Sequence, residues 1–251
     1  MTRKHRFASS NPGRPDRTMG LARALQKAGC GTRQTTEELV LAGRVEVDDV
    51  VERNPRSSVS PDQRIALDGR NLDHIGYRYF AFHKPARVVC AAVDGPDRRR
   101  VDEFLPPDVP GLRAAGRLDG KTTGLLLISN DPAWNEKVSS GTQFEQEYRL
   151  QVDGELTDIE IGVITAGVHL PNLGLFKPLN VHIVEKMNGA TVLTMVLREG
   201  KVRQVRRMFD TLRHKIILLR RIRIGEIRLG DLAAGSLKSL TGQEIQGVRD
   251  A

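Results

Sequence analysis

The chain has 251 residues, enough for one large domain or for a large domain with a small one attached. Lys and Arg total 39 against 31 Asp and Glu, and the formal net charge of +8 makes an anionic partner the leading expectation. No apolar run reaches the roughly 18 residues of a membrane helix, and two cysteines and six histidines show no ligand spacing, which predicts a cytoplasmic chain without membrane contact, disulfide or metal.

Residues 1–18 are basic, contain Pro and Gly, and have almost no large apolar side chains. Such a segment cannot bury a core, so we expect a flexible tail that contacts RNA. An organelle transit peptide is the alternative, because the segment is rich in Arg and Ser and poor in acids. Pro12, Gly13 and Pro15 disfavour the amphipathic helix that a transit peptide needs.

Two short helices and a hairpin are predicted after the tail. Apolar residues recur at helical spacing up to Gly29, which suits a C-terminal cap. Thr35 and Glu38 have the spacing of a capping box and predict the start of a second helix. The alternating stretch VEVDDVV then predicts a β-hairpin that turns at Asp48-Asp49.

Residues 53–62 are polar and rich in Pro and Ser, which predicts a loop. We assign residues 19–66 to a small α/β domain and residues 67–76 to a linker. Basic side chains on the outside of the small domain would offer a positive surface to a phosphate backbone; they are Arg23, Lys27, Arg33 and Arg44. The alternative is an ordinary helical appendage.

Strand-like segments alternate with helices over residues 77–251, which we assign to a second domain. The predicted strands are YRYFAFHKP, RVVCAAV, GLLLISN, EYRLQVDG, NVHIVEK, TVLTMVLRE and RIRIGEIRL, and helices are predicted near RRRVDEFL, PAWNEKV, DIEIGVITAG and KVRQVRRMFDTLRH. Many strands are longer than their connections. The pattern therefore predicts an α+β fold with a mixed or antiparallel sheet, and not a doubly wound one.

The stretch AAGRLDGKTTGLLLISND places Asp119 in a polar turn just before an apolar strand. A loop that enters a buried strand is well placed to border a cleft, where a carboxylate can act as a nucleophile or base. An isolated aspartate in a turn is more often only a turn residue. Its neighbours in space therefore decide between the two interpretations.

Residues 198–228 hold eleven Lys or Arg and three acids, an excess equal to that of the whole chain. A solvated helix face is the alternative, but such faces usually contain more acids, so nucleic acid is favoured. On a helical wheel Arg206 falls at the edge of an apolar sector, whereas Arg203 and Arg207 lie away from it. The sector is formed by Val202, Val205, Met208, Phe209 and Leu212.

Arg206 can therefore direct its guanidinium into a cleft and keep a carboxylate ionised, although a purely structural ion pair is the alternative. Tyr148 alternates with Leu150 and Val152 on an apolar strand face. A buried tyrosine usually only packs. Beside a carboxylate and an arginine, however, it would stack on a flat base and offer its hydroxyl as an acid or base.

These stretches together resemble the RNA pseudouridine synthases. AAGRLDGKTTGLLLISND is similar to the family signature G-R-L-D-x-x-T-x-G-L-L-L-L-T-N-D, FHKPARVVC to N-K-P-x-G-x-V, EYRLQV to K-x-Y-x-V, and EGKVRQVRRMF to E-G-x-x-x-Q-V-R-R-M-F. LARALQKAGCGTRQTTEELVLAGRVEVDD resembles the S4-type RNA-binding domain carried by one branch of the family. The likeness runs from about residue 20 to residue 245, in the family's order.

The resemblance implies a role for each matched residue. Asp119 matches the essential aspartate that acts on the ribose of a target uridine, and Tyr148 matches the tyrosine that stacks on the uracil. Arg206 matches the basic residue that pairs with the aspartate, and Arg117 the arginine that fills the space left by a flipped base. Arg117 is assigned to RNA binding together with Lys84, Arg203 and Arg207. The family's chemistry implies no metal and no cofactor.

The chain departs from the family motifs at several positions. Gln146 replaces the lysine before the tyrosine, Pro132 replaces a glycine after Asn-Asp, and Arg87 stands where K-P-x-G has its glycine. None of these changes affects Asp119, Tyr148 or Arg206.

The resemblance implies a ribosomal RNA pseudouridine synthase that acts as a monomer, with small-subunit RNA favoured as substrate. The alternatives are a large-subunit enzyme and a catalytically inactive assembly factor that binds RNA, and a pre-ribosomal particle is a further expected partner. A DNA glycosylase-like hydrolase would need a second catalytic carboxylate, which the sequence does not place near Asp119.

Overall fold

The computed structural model describes residues 18–60, 63–72, 77–90, 99–107, 109, 111–140, 143–172, 174–198 and 202–251. The chain divides into two compact units, Met1–Gly76 and Tyr77–Ala251. Apart from residue 18, the predicted tail lies outside the described residues, and so do residues 91–93 of the predicted strand RVVCAAV.

The first unit combines two helices with short strands. In chain order its described elements are β1 (Met19–Gly20), α1 (Leu21–Lys27), α2 (Arg33–Leu41), β2 (Val45–Val47), β3 (Val50–Glu52), β4 (Ser58–Val59), β5 (Ile65–Leu67) and β6 (Arg70–Asn71). Strands β3-β2-β5-β6 form an antiparallel sheet, and β1 pairs with β4. The core of the unit is formed by Leu21, Leu25, Cys30, Val40, Val45, Val59, Leu67 and Leu72.

The predicted hairpin is confirmed, and the second helix begins earlier than predicted. Asp48 and Asp49 connect β2 to β3 with φ angles of 51° and 67°, as a type I′ turn requires. The N-cap of α2 is Thr32, whose hydroxyl accepts a hydrogen bond from the backbone N–H of Thr35. Thr35 therefore lies inside α2, because a better-placed acceptor precedes it by one turn.

Two segments predicted to lack regular structure contribute short strands to the first unit. Strand β4 lies within the predicted loop 53–62, and β6 lies within the predicted linker 67–76. Each strand has two residues, too few for the alternation that marks a strand in a sequence.

The second unit contains most of the chain. Its described elements are β7 (Tyr79–Lys84), a 3₁₀ helix (Val101–Phe104), β8 (Arg113–Ala115), β9 (Thr123–Ser129), α3 (Pro132–Ser139), β10 (Gln146–Asp153), α4 (Asp158–Ala166), β11 (Val168–Leu170), β12 (Gly174–Phe176), β13 (Asn180–Met187), β14 (Ala190–Leu197), α5 (Val202–Thr211), β15 (Ile216–Ile224), β16 (Ile227–Arg228), β17 (Leu237–Ser239) and α6 (Gly242–Asp250).

A single large sheet organises the second unit. Its strand order is β13-β14-β10-β15-β9-β7-β17, with β8 paired to β9 and β16 paired to β15. Strands β9 and β15 run parallel, and the other strand pairs in the sheet are antiparallel. The predicted mixed sheet is therefore confirmed.

The two faces of this sheet are covered by different helices. On one face, which we call the site face, Tyr148 and Leu150 share a core with residues of α4 and α5. On the other, which we call the back face, Leu125 and Leu127 pack under α3 and α6, through Trp134, Val138, Ile245 and Val248. Residues that alternate along one strand thus belong to two different cores.

Three predicted elements differ in the structure. Residues 87–90 of RVVCAAV form no strand, because Arg87 has a φ of 65° and only Val89 makes an isolated bridge. The segment RRRVDEFL contains a 3₁₀ helix. Strand β15 begins at Ile216, well before the predicted RIRIGEIRL, and the sequence does not predict α6, whose apolar face is short.

Candidate active site

Asp119 lies in the loop between β8 and β9, and the turn that follows it holds its carboxylate. Oδ1 accepts hydrogen bonds from the backbone N–H groups of Lys121 at 2.8 Å and Thr122 at 2.7 Å. Oδ2 accepts a third from the Thr122 hydroxyl at 2.9 Å. Thr122 is fully buried, whereas 23% of the Asp119 side chain is exposed. The carboxylate is therefore fixed in position and still accessible.

Arg206 reaches this carboxylate from helix α5. The apolar sector of the helix is buried in the site-face core through Val205, Met208, Phe209 and Leu212, and the Val202 side chain lies outside the described part. At the edge of that sector, Arg206 places its Nε 3.4 Å from Asp119 Oδ2 and donates from Nη2 to the Thr122 hydroxyl at 3.3 Å. The fold thus brings together an aspartate and an arginine that lie 87 residues apart in sequence.

The surroundings of Asp119 favour its ionised form. Burial raises the pKa of Asp119, but the Arg206 charge and the hydrogen bonds from Thr122 and Lys121 outweigh burial and bring this pKa below its ordinary value. The carboxylate is therefore charged at neutral pH, as a nucleophile or general base must be.

Tyr148 lies on the site face of β10 and is fully buried. Burial raises the pKa of the Tyr148 hydroxyl, the charge of Arg221 lowers it, and the charge of Asp119 raises it further. The phenol therefore lies within electrostatic reach of both groups. Because the ring has no exposed surface in this structure, contact with a flat ligand requires the covering side chains to move apart.

Sequence reasoning missed Arg221, a residue of β15 that is hydrogen-bonded to the same glutamine as Tyr148. Arg221 is 4% exposed; its Nε donates to the backbone oxygen of Leu125 at 2.8 Å and its Nη1 to Gln146 Oε1 at 2.9 Å. The same Gln146 oxygen accepts a hydrogen bond from the Tyr148 hydroxyl at 3.0 Å. An available signal was the position of Arg221 on the inward side of β15, two residues after buried Leu219.

Lys84 lies at the end of β7 and holds the loop that follows. The side chain is fully buried, and Nζ donates to the backbone oxygens of Pro85 at 2.9 Å and Val88 at 2.7 Å. Burial lowers the pKa of Lys84, and the electrostatic influence of Cys90 and Asp119 opposes that change. The assignment of Lys84 to RNA contact is therefore corrected: its ammonium group binds loop carbonyls inside the protein.

Arg87, which departs from the family glycine, connects this loop to the loop of Asp119. Its φ of 65° lies in the left-handed region that glycine adopts without strain. Its backbone N–H donates to the backbone oxygen of Gly120 at 2.7 Å. Arg87 adopts this conformation although it is not glycine, and the bond it makes supports the residue next to Asp119.

The remaining residues assigned to RNA contact are exposed. In the second unit these are Arg117, Arg203 and Arg207, and in the first unit Arg23, Lys27, Arg33 and Arg44. Arg33 pairs with Glu37 at 2.9 Å, and Arg44 pairs with Asp68 at 2.6 Å. The structure does not bring Arg203 and Arg207 to Asp119; both project from the solvent side of α5.

The site is built from a carboxylate, guanidinium groups and a phenol. In the part of the chain that the structure describes, no three His, Cys, Asp or Glu side chains converge as metal ligands. No helix among the described residues is long and apolar enough to cross a membrane. The arrangement can present an ionised oxygen to an electrophilic carbon while the Arg206 charge stands beside it and the Tyr148 phenol lies within electrostatic reach.

Comparison with known proteins gives a consistent result. The model of a family described as RNA pseudouridylate synthase matches residues 78–211. The ribosomal small subunit pseudouridine synthase A of Yersinia pestis is 36% identical over 228 residues, covering 89% of this chain and 94% of that protein. Its counterpart from Escherichia coli K12 is 35% identical over 214 residues, covering 83% and 90%.

A solved structure described as a pseudouridylate synthase superposes on this chain with a TM-score of 0.61 at 24% identity. The match covers 92% of this chain and 99% of that one. At this level of identity the likeness concerns the fold, and it extends over both units.

Proposed function

The chain belongs to the RNA pseudouridylate synthase family, and we propose that it converts a uridine of small-subunit ribosomal RNA to pseudouridine, with Asp119, Tyr148 and Arg206 at the reaction centre. Relatives that cover most of the chain are named for the small subunit. The observation that carries the proposal is the ionised Asp119 carboxylate, which Arg206 and the following turn hold in place.

The isomerisation exchanges two bonds at one ribose carbon. The bond from C1′ to uracil N1 breaks, the base turns, and a bond from C1′ to C5 forms; C5 then loses its proton and N1 gains one, so the atoms balance. Asp119 either attacks C1′ or removes the C2′ proton, and both roles require the charged carboxylate. Arg206 and Thr122 keep it charged by making its protonation unfavourable.

The detached base must stay in the site while it turns. Tyr148 supplies a flat ring for this purpose, and because burial raises the pKa of its hydroxyl, the phenol stays protonated and the C5 proton passes to a base other than Tyr148 at the last step. Arg117 lies two residues before Asp119 and is exposed, which suits it to fill the gap in the RNA stack. Extrusion of a uridine costs a few kcal/mol, which contacts to a basic surface offset.

The first unit, residues 19–66 in the sequence assignment, is proposed to be an S4-like RNA-binding domain that also includes β6 and Leu72 of the predicted linker 67–76, followed by the catalytic domain 77–251. Support comes from its sequence motif and from its two helices packed with a small sheet. Arg23 and Lys27 lie one helical turn apart on α1 and make no ion pair with a described residue. Arg33 and Arg44 are already paired, so Arg23 and Lys27 are the stronger candidates for phosphate contact.

We further propose that the chain acts in the cytoplasm as a monomer, on ribosomal RNA alone or within a pre-ribosomal particle. Support for a monomer comes from the site itself, because one chain supplies Asp119, Tyr148, Arg206 and Arg221.

Substitution Asp119→Asn tests the function. It keeps the shape of the side chain and removes its charge, so pseudouridine formation is abolished while RNA binding persists. The control Asp210→Asn removes the same charge from an exposed position on α5 and retains activity. Mapping pseudouridines in both ribosomal RNAs of cells with and without the protein identifies the substrate, and a lost site in large-subunit RNA would contradict the proposal. An active Asp119→Asn enzyme would do the same.

A further inference from the structure

A row of polar side chains crosses the back face of the sheet, beside the part that α3 and α6 cover. Its members pair directly across five neighbouring strands, from β13 through β14, β10 and β15 to β9. In that order they are His182, Thr194, Arg149, Arg220 and Thr123. Directly paired residues point to the same face of a sheet. We call these five residues the back-face row.

No described helix covers most of this row. Helices α4 and α5 pack on the site face, and α3 and α6 pack over the strands that include β8 and β9. Arg149 and His182 are exposed, and the other three members are partly exposed. Two apolar neighbours on the same face, Val196 and Leu218, are partly exposed and belong to neither core of the unit. The surface around Arg149 is therefore open.

The centre of the row carries two like charges with no described carboxylate at ion-pair distance. Arg149 and Arg220 are direct partners on antiparallel strands, an arrangement that destabilises a sheet. The Nε of Arg220 is buried and has no hydrogen-bond partner among the described residues. Of the acids on neighbouring rows, Glu147 is paired with Arg223 at 2.9 Å and Glu185 lies on the edge strand. An anionic partner would relieve the repulsion at Arg149 and Arg220.

We propose that the back-face row binds the phosphate backbone of ribosomal RNA, on the face of the sheet opposite to Asp119. The choice of RNA as the polyanion rests on the proposed function. Guanidinium and hydroxyl donors are ligands of phosphate oxygens, and the row contains no Phe, Tyr or Trp ring for base stacking. Four strand spacings give the row a length of about 19 Å, enough for several consecutive phosphates. The enzyme thus holds its RNA on two faces.

Substitutions Arg149→Gln and Arg220→Gln test the inference in the full-length protein. The measurement is the affinity for a small-subunit ribosomal RNA fragment over a range of KCl concentrations. Each variant is expected to bind several-fold more weakly at low salt, with the slope of log affinity against log salt reduced by about 1. KM rises while kcat at saturating RNA is kept. The matched control is Lys238→Gln, an exposed basic residue on the far edge strand β17, which leaves affinity and slope unchanged.

Substitution Arg149→Glu separates binding from folding. The new carboxylate would face Arg220 directly, so the melting temperature rises while RNA affinity falls further than in Arg149→Gln. A variant that bound weakly because it was misfolded would show a lower melting temperature.

Unchanged affinity and slope in both glutamine variants would overturn the inference, and so would an equal loss in Lys238→Gln. A dimer of the wild type that the variants dissociate in the absence of RNA would assign the face to a second copy. Displacement of RNA from the row by polyglutamate of equal charge would assign it to an acidic protein. A wild type that bound RNA through the row without forming pseudouridine would refute the proposed function and leave this inference standing.

Discussion

The Tyr148 hydroxyl donates a hydrogen bond to Gln146 Oε1 at 3.0 Å, and the same oxygen accepts a second bond from Arg221. Gln146 is 6% exposed and stands where the family motif has lysine. A neutral amide supplies an acceptor to two buried donors, whereas an ammonium group would add a second positive charge beside Arg221 and supply none. The departure from the motif therefore fits the buried arginine of this chain.

Substitution Gln146→Leu should lower the free energy of unfolding by about 1–3 kcal/mol, because it leaves the Tyr148 hydroxyl and one Arg221 nitrogen without an acceptor. Chemical denaturation measures the change. Gln151→Leu is the matched control, on the back face of the same strand, and should change the free energy of unfolding by less than about 0.5 kcal/mol. Equal effects of the two substitutions would contradict the role given to Gln146.

Substitution Thr122→Val should move the acidic limb of the kcat profile to higher pH. The Thr122 hydroxyl donates to Asp119 Oδ2, and this bond lowers the pKa of Asp119. Its loss raises that pKa, so a higher pH is needed to ionise the carboxylate. The profile of kcat against pH at saturating RNA shows the shift. Thr165→Val, an exposed position on α4, should leave the profile in place, and an unmoved Thr122→Val profile would mean that Asp119 ionisation does not limit the reaction.

Gly124 is the residue of β9 that pairs with Arg221 across the parallel strands. A Cβ at this position would lie 2.1 Å from the Arg221 backbone oxygen, and φ is +102°. Gly124→Ala should therefore separate β9 from β15 and lower the free energy of unfolding by several kcal/mol, a loss at the upper end of those that single substitutions cause. Gly230→Ala is the control, because its φ is also positive while a Cβ there meets nothing within 4 Å. It should cost only about 1–2 kcal/mol.

The sequence predicts those parts of the site in which the interacting residues lie close together along the chain. The apolar sector of α5 fixes which side of the helix is buried, so the edge position of Arg206 follows from sequence alone. The hairpin at Asp48-Asp49 is equally local, since two residues able to adopt positive φ suffice. Both predictions rest on neighbours within one or two turns of the chain.

The burial of Lys84 and Arg221 depends on hydrogen-bond acceptors whose positions cannot be predicted from the sequence. Lys84 is satisfied by loop carbonyls that face it only because residues 85–88 turn back. Arg221 has acceptors for two of its three nitrogens, at Leu125 and at Gln146, which lies 75 residues away. Charged residues are rarely buried, so composition predicts exposure for both. The path of the loop after β7 decides the outcome for Lys84, and pairing across the sheet decides it for Arg221; no local sequence pattern encodes either.

His214 contributes a pH-dependent link between α4 and the end of β10. Its Nδ1 lies 2.6 Å from the Asp153 backbone oxygen and its Nε2 lies 3.0 Å from the Glu160 carboxylate. Burial lowers the pKa of His214, but these two bonds outweigh burial and raise it above 6.5. Hydrogen bonds from Thr157 and then from His214 lower the pKa of Glu160 from 4.5 to about 2.

The directions of these pKa shifts define the pH range in which His214 and Glu160 stabilise the fold. The His214 contribution is full below pH 6.5 and is lost as the pH rises through the folded pKa, while the Glu160 contribution is full above pH 4.5 and is lost towards pH 2. The difference in unfolding free energy between wild type and His214→Gln should thus be greatest between pH 4.5 and 6.5 and shrink at alkaline pH. His169→Gln, at an exposed position of β11, is the control. A difference that stayed constant with pH would show that His214 acts only by packing.

Adjacent arginines on α5 should separate binding from chemistry. Arg207 is exposed on the solvent side of the helix, so Arg207→Gln should weaken RNA binding and reduce its salt slope by about 1, with kcat at saturating RNA retained. Arg206 contacts Asp119, so Arg206→Gln should lower kcat by roughly a hundredfold or more, because the carboxylate loses the charge that keeps it ionised and placed. Single-turnover kinetics at saturating RNA, with affinities measured in parallel, distinguish the two effects. A loss of kcat in Arg207→Gln together with a loss of RNA affinity in Arg206→Gln would mean that Arg207, and not Arg206, faces the reaction centre. The two side chains differ by about 100° around the helix axis, so they cannot both face it.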